Sequence, residues 1–247
     1  MRLAGWLLAF GLTLLGAARP AAAAPLVADL TSHLIGINAG FTGASVVLFG
    51  ATDGPGDIVV VVRGPERDVV VRRKRQVAGI WVNAKGETFT NVPSFYSLAS
   101  SRPLDVITTP AVLAFHQLGL GNLRLALARG PLREEDMPFR AALIEEQQRA
   151  GLFARRTGKV DFLGDRLFRT TISFPSNVPT GTYLVQVFLI QDKGIVAGQT
   201  TPLVVSKIGA DAAIYDFADR WSALYGIVAV LTAMMAGWLA SLPFRNA

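Results

Sequence analysis

Not one of the 247 residues is a cysteine, and only two are histidine, His33 and His116. Without thiols the chain has no disulfide, no thiolate nucleophile and no zinc site built on cysteine. Two isolated histidines without ligand-spaced carboxylates do not make a metal centre, so neither metal nor cofactor is expected. His116 sits among Leu113, Phe115 and Leu118, a setting that suits a packed histidine better than a ligand. The nucleophile elbow G-x-S-x-G, the Walker loop and the H-E-x-x-H pair are all missing. Gly119-x-Gly121 is a fragment of a dinucleotide pattern with no strand leading into it. Adjacent acids at Glu134-Glu135 and Glu145-Glu146 diverge on a helix and fit solvated faces. No catalytic residue is nominated and the chain is read as a non-enzyme; a reaction would need convergent acids that no spacing here reveals. Charge is scarce as well, at 17% of residues, against about 25% in ordinary soluble domains.

What the chain has instead is apolar residues, 51% of the total, with long apolar runs at its two ends. Residues 1–23 carry Arg2, an apolar stretch from Leu3 to about Gly16, and the small-residue tract before Pro25. That is the layout of a secretory signal peptide, with cleavage expected after Ala23. Its removal lowers the formal charge from +6 to +4. Residues 221–244 form an uncharged run bracketed by Trp221, Tyr225 and Trp238. Roughly 20 apolar residues cross a hydrocarbon core, and amphipathic rings favour its two interfaces. The expected topology is therefore single-pass: an N-terminal domain in the periplasm, one helix through the bacterial inner membrane, and a cytoplasmic stub at 245–247. Residues 210–220, with Ile214, Phe217, Ala218 and Trp221 on one helical face, are expected to form a juxtamembrane helix.

Between the ends, the pattern is that of strands. Ser45–Phe49, Ile58–Val62 and Val69–Val71 are short β-branched or aromatic runs separated by turn-rich stretches. Gly79–Val82, a turn at Asn83–Gly86, and Phe95–Leu98 continue the series. After a mainly helical stretch the strand pattern returns at Leu167–Phe174, Thr182–Leu189 and Thr201–Ser206. The helical stretch opens with Thr109-Pro110, holds a stronger helix from Pro138, and stops at Gly151. Gly181-x-Tyr183 fits a tyrosine corner and Trp81 a central core indole. The fold class expected is mainly β: an Ig-like β-sandwich, its first part at 24–107 and its second at 157–209, with a helical insertion at 108–156.

Two features bear on binding. Arg72-Arg73-Lys74-Arg75, with Arg63 close in sequence, offers a surface for an anionic solute or lipid headgroups. The same charges would equally protect an edge strand against further pairing. In the C-terminal helix Ala229, Ala233, Gly237 and Ser241 recur every fourth residue, a small-residue stripe that lets a second helix approach. Nucleic acid is not an expected partner outside the cytoplasm.

Several blocks together resemble a family of transmembrane proteins of Alphaproteobacteria: Phe41-Thr42-Gly43, Asp57–Pro65, Gly79–Val82, Val92–Tyr96, Pro179–Tyr183, Thr201–Val205 and the helix around Tyr225-Gly226. The resemblance covers nearly the whole chain after the leader. It implies an inner-membrane protein with a periplasmic domain and no assigned reaction. It also implies association with TauE/SafE-like exporters, hence an integral membrane partner. The function expected is a membrane-anchored binding module, accessory to such a transporter.

Overall fold

Short apolar runs and their breakers make a mainly β chain. The computed structural model describes residues 25–77, 79–209 and 218–241. Its strands are β1 (Leu26–Leu30), β2 (Leu34–Ile37), β3 (Gly43–Thr52), β4 (Asp57–Arg63), β5 (Glu66–Val77), β6 (Ile80–Pro93), β7 (Tyr96–Ser100), β8 (Ala126–Leu127), β9 (Gly158–Lys159), β10 (Asp161–Leu163), β11 (Leu167–Pro175), β12 (Gly181–Gln191) and β13 (Gly194–Lys207). The helices are α1 (Leu104–Ile107), α2 (Pro110–His116), α3 (Met137–Arg149) and α4 (Ser222–Ser241). The strands form three sheets, one of them curled into a half-barrel. Their orders are β1-β3-β11-β10, β2-β13-β12-β4-β7-β9 and β5-β6-β8. The expected leader at 1–23, most of the juxtamembrane helix and the stub at 245–247 lie outside the described residues.

Sequence period decides how each sheet is covered. In β11, Phe168, Thr170, Ile172 and Phe174 are buried while Leu167, Arg169, Thr171 and Ser173 are exposed. That alternation belongs to a sheet with one packed face. In β4, all of Ile58–Val62 are buried, so both faces are covered. On one side the rings of Phe95, Phe174 and Tyr183 meet between the four- and six-stranded sheets, with centroids 5.0–5.9 Å apart. On the other side the α2 region covers the six-stranded sheet. His116 stacks edge-on against Phe188 at 5.2 Å, and the Tyr96 hydroxyl donates to the Gln117 carbonyl (3.0 Å) and accepts from the Gly119 N–H (2.7 Å).

The helices begin and end where their caps dictate. Thr109 accepts a hydrogen bond from the Val112 N–H, Pro110 takes the first helical position, and Gln117 stops α2 in the left-handed region at φ 55°. Gly151, at φ 73°, follows α3, and the Leu152 N–H bonds back to the Gln147 carbonyl. The stretch 108–156 also holds β8, which pairs with β6 through Phe89 and Leu127.

One expectation needs correction. No turn interrupts Asn83–Gly86: β6 runs through it, with Asn83 opposite Lys74 and Gly86 opposite Arg72. A register shift between Arg72 and Lys74 absorbs the mismatch, and the chain reverses instead between Val77 and Ile80, where Gly79 has φ 81°. Trp81 lies in β6 opposite Gln76, in the three-stranded sheet and not on a strand of the two larger sheets; its expected role as a central indole lies outside the described side chains. The Phe95–Phe174–Tyr183 group fills the space between those sheets.

Candidate functional site

Strands β4 and β5 are consecutive, as are β6 and β7, and pairing carries over from one pair to the other, with register shifts only further out, at Arg67/Val69 and Arg72/Lys74. Arg63 faces Tyr96 at the end of the β4–β7 ladder, and Glu66 faces Pro93 at the start of the β5–β6 ladder. Between them the Gly64 N–H donates to the Phe95 carbonyl and the Ser94 N–H to the Pro65 carbonyl, both at 2.9 Å. The result is one antiparallel ribbon from Asp57 to Ser100, rooted in the six-stranded sheet and leaving it as a hairpin. Its bend is tightly fitted. A Cβ on Gly64 would lie 2.6 Å from Ser94 Oγ and 2.9 Å from the Phe95 nitrogen, and one on Gly181 would lie 2.7 Å from Pro65 Cγ.

Gly181 pairs with Val205, two residues before β13 ends at Lys207. The hairpin therefore leaves the six-stranded sheet at the same end from which the chain departs toward α4.

The outer half of the hairpin is cationic. Between residues 72 and 85 lie Arg72, Arg73, Lys74, Arg75 and Lys85, with no Asp or Glu among them. Strand β5 is an edge strand of its sheet, and Arg72 and Arg73 are exposed. The Arg73 guanidinium lies over the Phe139 ring at 5.2 Å, tying the hairpin to α3. Nearer the root, Arg129 bonds both Glu87 (Nε to Oε2, 2.8 Å) and Asp136, while Asp136 Oδ2 accepts from the Arg133 N–H at 3.0 Å. These buried carboxylates are engaged with their own arginine, below the cationic half.

Arg63 belongs to a different environment. Its guanidinium bonds the Gln186 side chain, the His116 carbonyl (2.7 Å) and the Gln117 carbonyl (3.3 Å). Burial pulls its pKa below the usual arginine value. It lines a cleft of about 400 Å³ with Glu66, Asn91, Gln117, Arg124 and Gln186. Arg72 lies nine residues further along the chain, in β5, at most about 30 Å away at roughly 3.3 Å per residue. The five cations grouped in sequence thus fall into two places. The cleft residues Gln117, Arg124 and Gln186 come from a loop and a distant strand, and nothing local in the sequence marks them as neighbours of Arg63.

The remaining sequence-selected residues lie on α4. Ala229, Ala233 and Gly237 are exposed, Ser241 is its last residue, and a Cβ on Gly237 would meet nothing within 4 Å. The Thr232 hydroxyl donates to the Val228 carbonyl of its own helix at 2.8 Å. His33 pairs with Asp29 at 2.9 Å on the surface. Among the described residues no three His, Asp or Glu side chains gather as metal ligands.

Residues 25–246 match the model of the family described as "Putative transmembrane protein (Alph_Pro_TM)". No curated protein matches the chain.

Proposed function

The chain belongs to this family of transmembrane proteins, and on that premise we propose that it is a membrane-anchored binding module, an accessory subunit of an integral membrane protein. The observation that carries the reading is α4. Its window Ser222–Leu239 is long and apolar enough to cross a bilayer, contains no charged residue, and is not buried against the β domain. A helix that meets only lipid has no use for a stripe of small residues; one that packs on another helix does. The partner proposed is a transporter of the TauE/SafE-like kind that the sequence resemblance implies. The β domain is proposed to lie in the periplasm, a reading that the leader-like N-terminal sequence and the single candidate span support.

The β domain itself is proposed to be an Ig-like sandwich. Supporting this, β1-β3-β11-β10 and β13-β12-β4-β7 follow the A-B-E-D and G-F-C-C′ strand orders of that architecture. The Tyr183 hydroxyl, near the start of β12, donates to the Pro179 carbonyl four residues upstream at 2.6 Å, as a tyrosine corner does. Such sandwiches present their loops and edges to partners, which suits binding without chemistry.

Changing Ala233 and Gly237 together to Leu is expected to abolish co-purification with the partner from native membranes. Undiminished recovery would remove the helix stripe from the reading. A second reading is favoured by Arg63 Nε, which is buried without a hydrogen-bond partner beside the cleft. There Arg63 and Arg124 would hold a small anion. Calorimetric titration with inorganic sulfate should then give binding that Arg124→Gln weakens at least tenfold, and no heat of binding would discard it.

A further inference from the structure

We propose that the outer half of the β5–β6 hairpin docks on the anionic headgroup surface of the membrane that α4 crosses. The proposal rests on the reading of α4 as a membrane span. Three observations point to it. First, position: the hairpin root is packed on Gly181, which pairs with Val205, so hairpin and tether leave the sheet at one end. Arg63 is level with Leu184, and Leu184 with Pro202. Arg72 lies nine residues beyond that level along the ribbon, through its bend, and Lys207 five beyond it along β13, at most about 30 Å against about 17 Å.

Second, charge: residues 72–85 hold five cations and no acid, in a hairpin braced by Arg73 on Phe139 and by Phe89 opposite Leu127. Edge protection needs charge of either sign. The inner end of β5 carries it so, as exposed Glu66, Arg67 and Asp68, whereas beyond Val69–Val71, with Val70 52% exposed, the outer end carries cations alone.

Third, composition: the turn is followed by Ile80-Trp81-Val82, in which tryptophan is a residue type favoured at a bilayer interface, with Trp81 opposite Gln76 in register. Clustered Lys and Arg next to a membrane helix are attracted to acidic lipid, each adding roughly a fivefold preference for the surface.

The test exploits the missing cysteines. The full-length chain carrying Gln76→Cys, labelled with an environment-sensitive fluorophore, is reconstituted into vesicles of phosphatidylcholine with or without phosphatidylglycerol. Flotation first reports whether the chain is anchored; a chain that fails to float refutes the span reading, separately from the docking. In anchored protein the label is expected to be quenched by headgroup-spin-labelled lipid only when phosphatidylglycerol is present. That quenching should fall away in ~1 M salt, where the screening length is about 3 Å. It should fall roughly fivefold for Lys74→Gln and disappear for Arg72→Glu with Lys74→Glu, with the melting curve serving as the check on folding. The salt arm needs no substitution in the basic run, so it decides the matter even where a variant unfolds. Equal exposure of the label in both vesicle types overturns the proposal. So does protection found only in native membranes and never in protein-free lipid, which would assign the hairpin to an acidic protein surface.

Discussion

At the scale of single residues, two hydrogen-bonded side chains couple stability to pH in opposite directions. Burial pushes the Tyr183 phenol up to about 12, and its hydroxyl donates to the Pro179 carbonyl. A raised folded-state pKa keeps the proton on in the native state. Its contribution is complete below the free tyrosine value of about 10 and is lost as pH climbs toward 12. Tyr183→Phe is expected to cost about 1 kcal/mol near neutrality and to shrink the alkaline loss of stability without abolishing it, because burial raises Tyr96 as well. Urea unfolding at neutral and alkaline pH measures both effects. Asp57 runs the other way. Its carboxylate accepts from Arg102 (Nε, 2.7 Å) and Ser101 (2.9 Å), and the Arg102 bond foremost holds its pKa below the usual range. That stability is present above the ordinary carboxylate pKa and drains away as acid protonates the group. Asp57→Asn should flatten the acid limb of a melting-temperature profile. Tyr183 was legible in sequence because Gly-x-Tyr is a local signature. The sheet that the strand of Trp81 joins was not legible, because an aromatic on a strand says nothing about which strand it pairs with.

Among the elements, the ribbon bend is the position most sensitive to volume. Gly64→Ala places a methyl against Ser94 Oγ and the Phe95 backbone nitrogen, and overpacking of that kind costs about 1–3 kcal/mol. Thermal melts should show the loss. Gly54 meets nothing within 4 Å, so its cost in the same substitution would come from its φ of 117° alone. Strand runs such as Ile58–Val62 and the caps of α2 and α3 could be read directly, because period and capping chemistry are local. The β5–β6 hairpin could not. Asn83-Ala84-Lys85-Gly86 has the composition of a turn, yet pairing with Arg72–Lys74 overrides it. The companions of Arg63 were equally hidden, since β12 and the segment after α2 supply them from more than fifty residues away.

Over the whole molecule, connectivity sets what the protein can do. Residues 208–221 separate the last strand from α4, a link that reaches at most about 50 Å when extended. The β domain is thereby confined to a shell next to the bilayer. A chain stopped after Lys207 is expected to leave the membrane fraction while keeping its β circular-dichroism signal. Fluorescent and alkaline phosphatase reporters fused after Ala247 should report a cytoplasmic end, fluorescent in the first case and inactive in the second.

The paired bend also has a mechanical meaning. Because β4 is an interior strand buried on both faces and passes into β5 through two residues whose neighbours still pair, the hairpin root has no unpaired joint with the protein's centre. The register shifts at Arg67/Val69 and Arg72/Lys74 lie further out, so bending is expected there and not at the root. A push on the hairpin is passed to the middle of the largest sheet, as by a crowbar set into masonry.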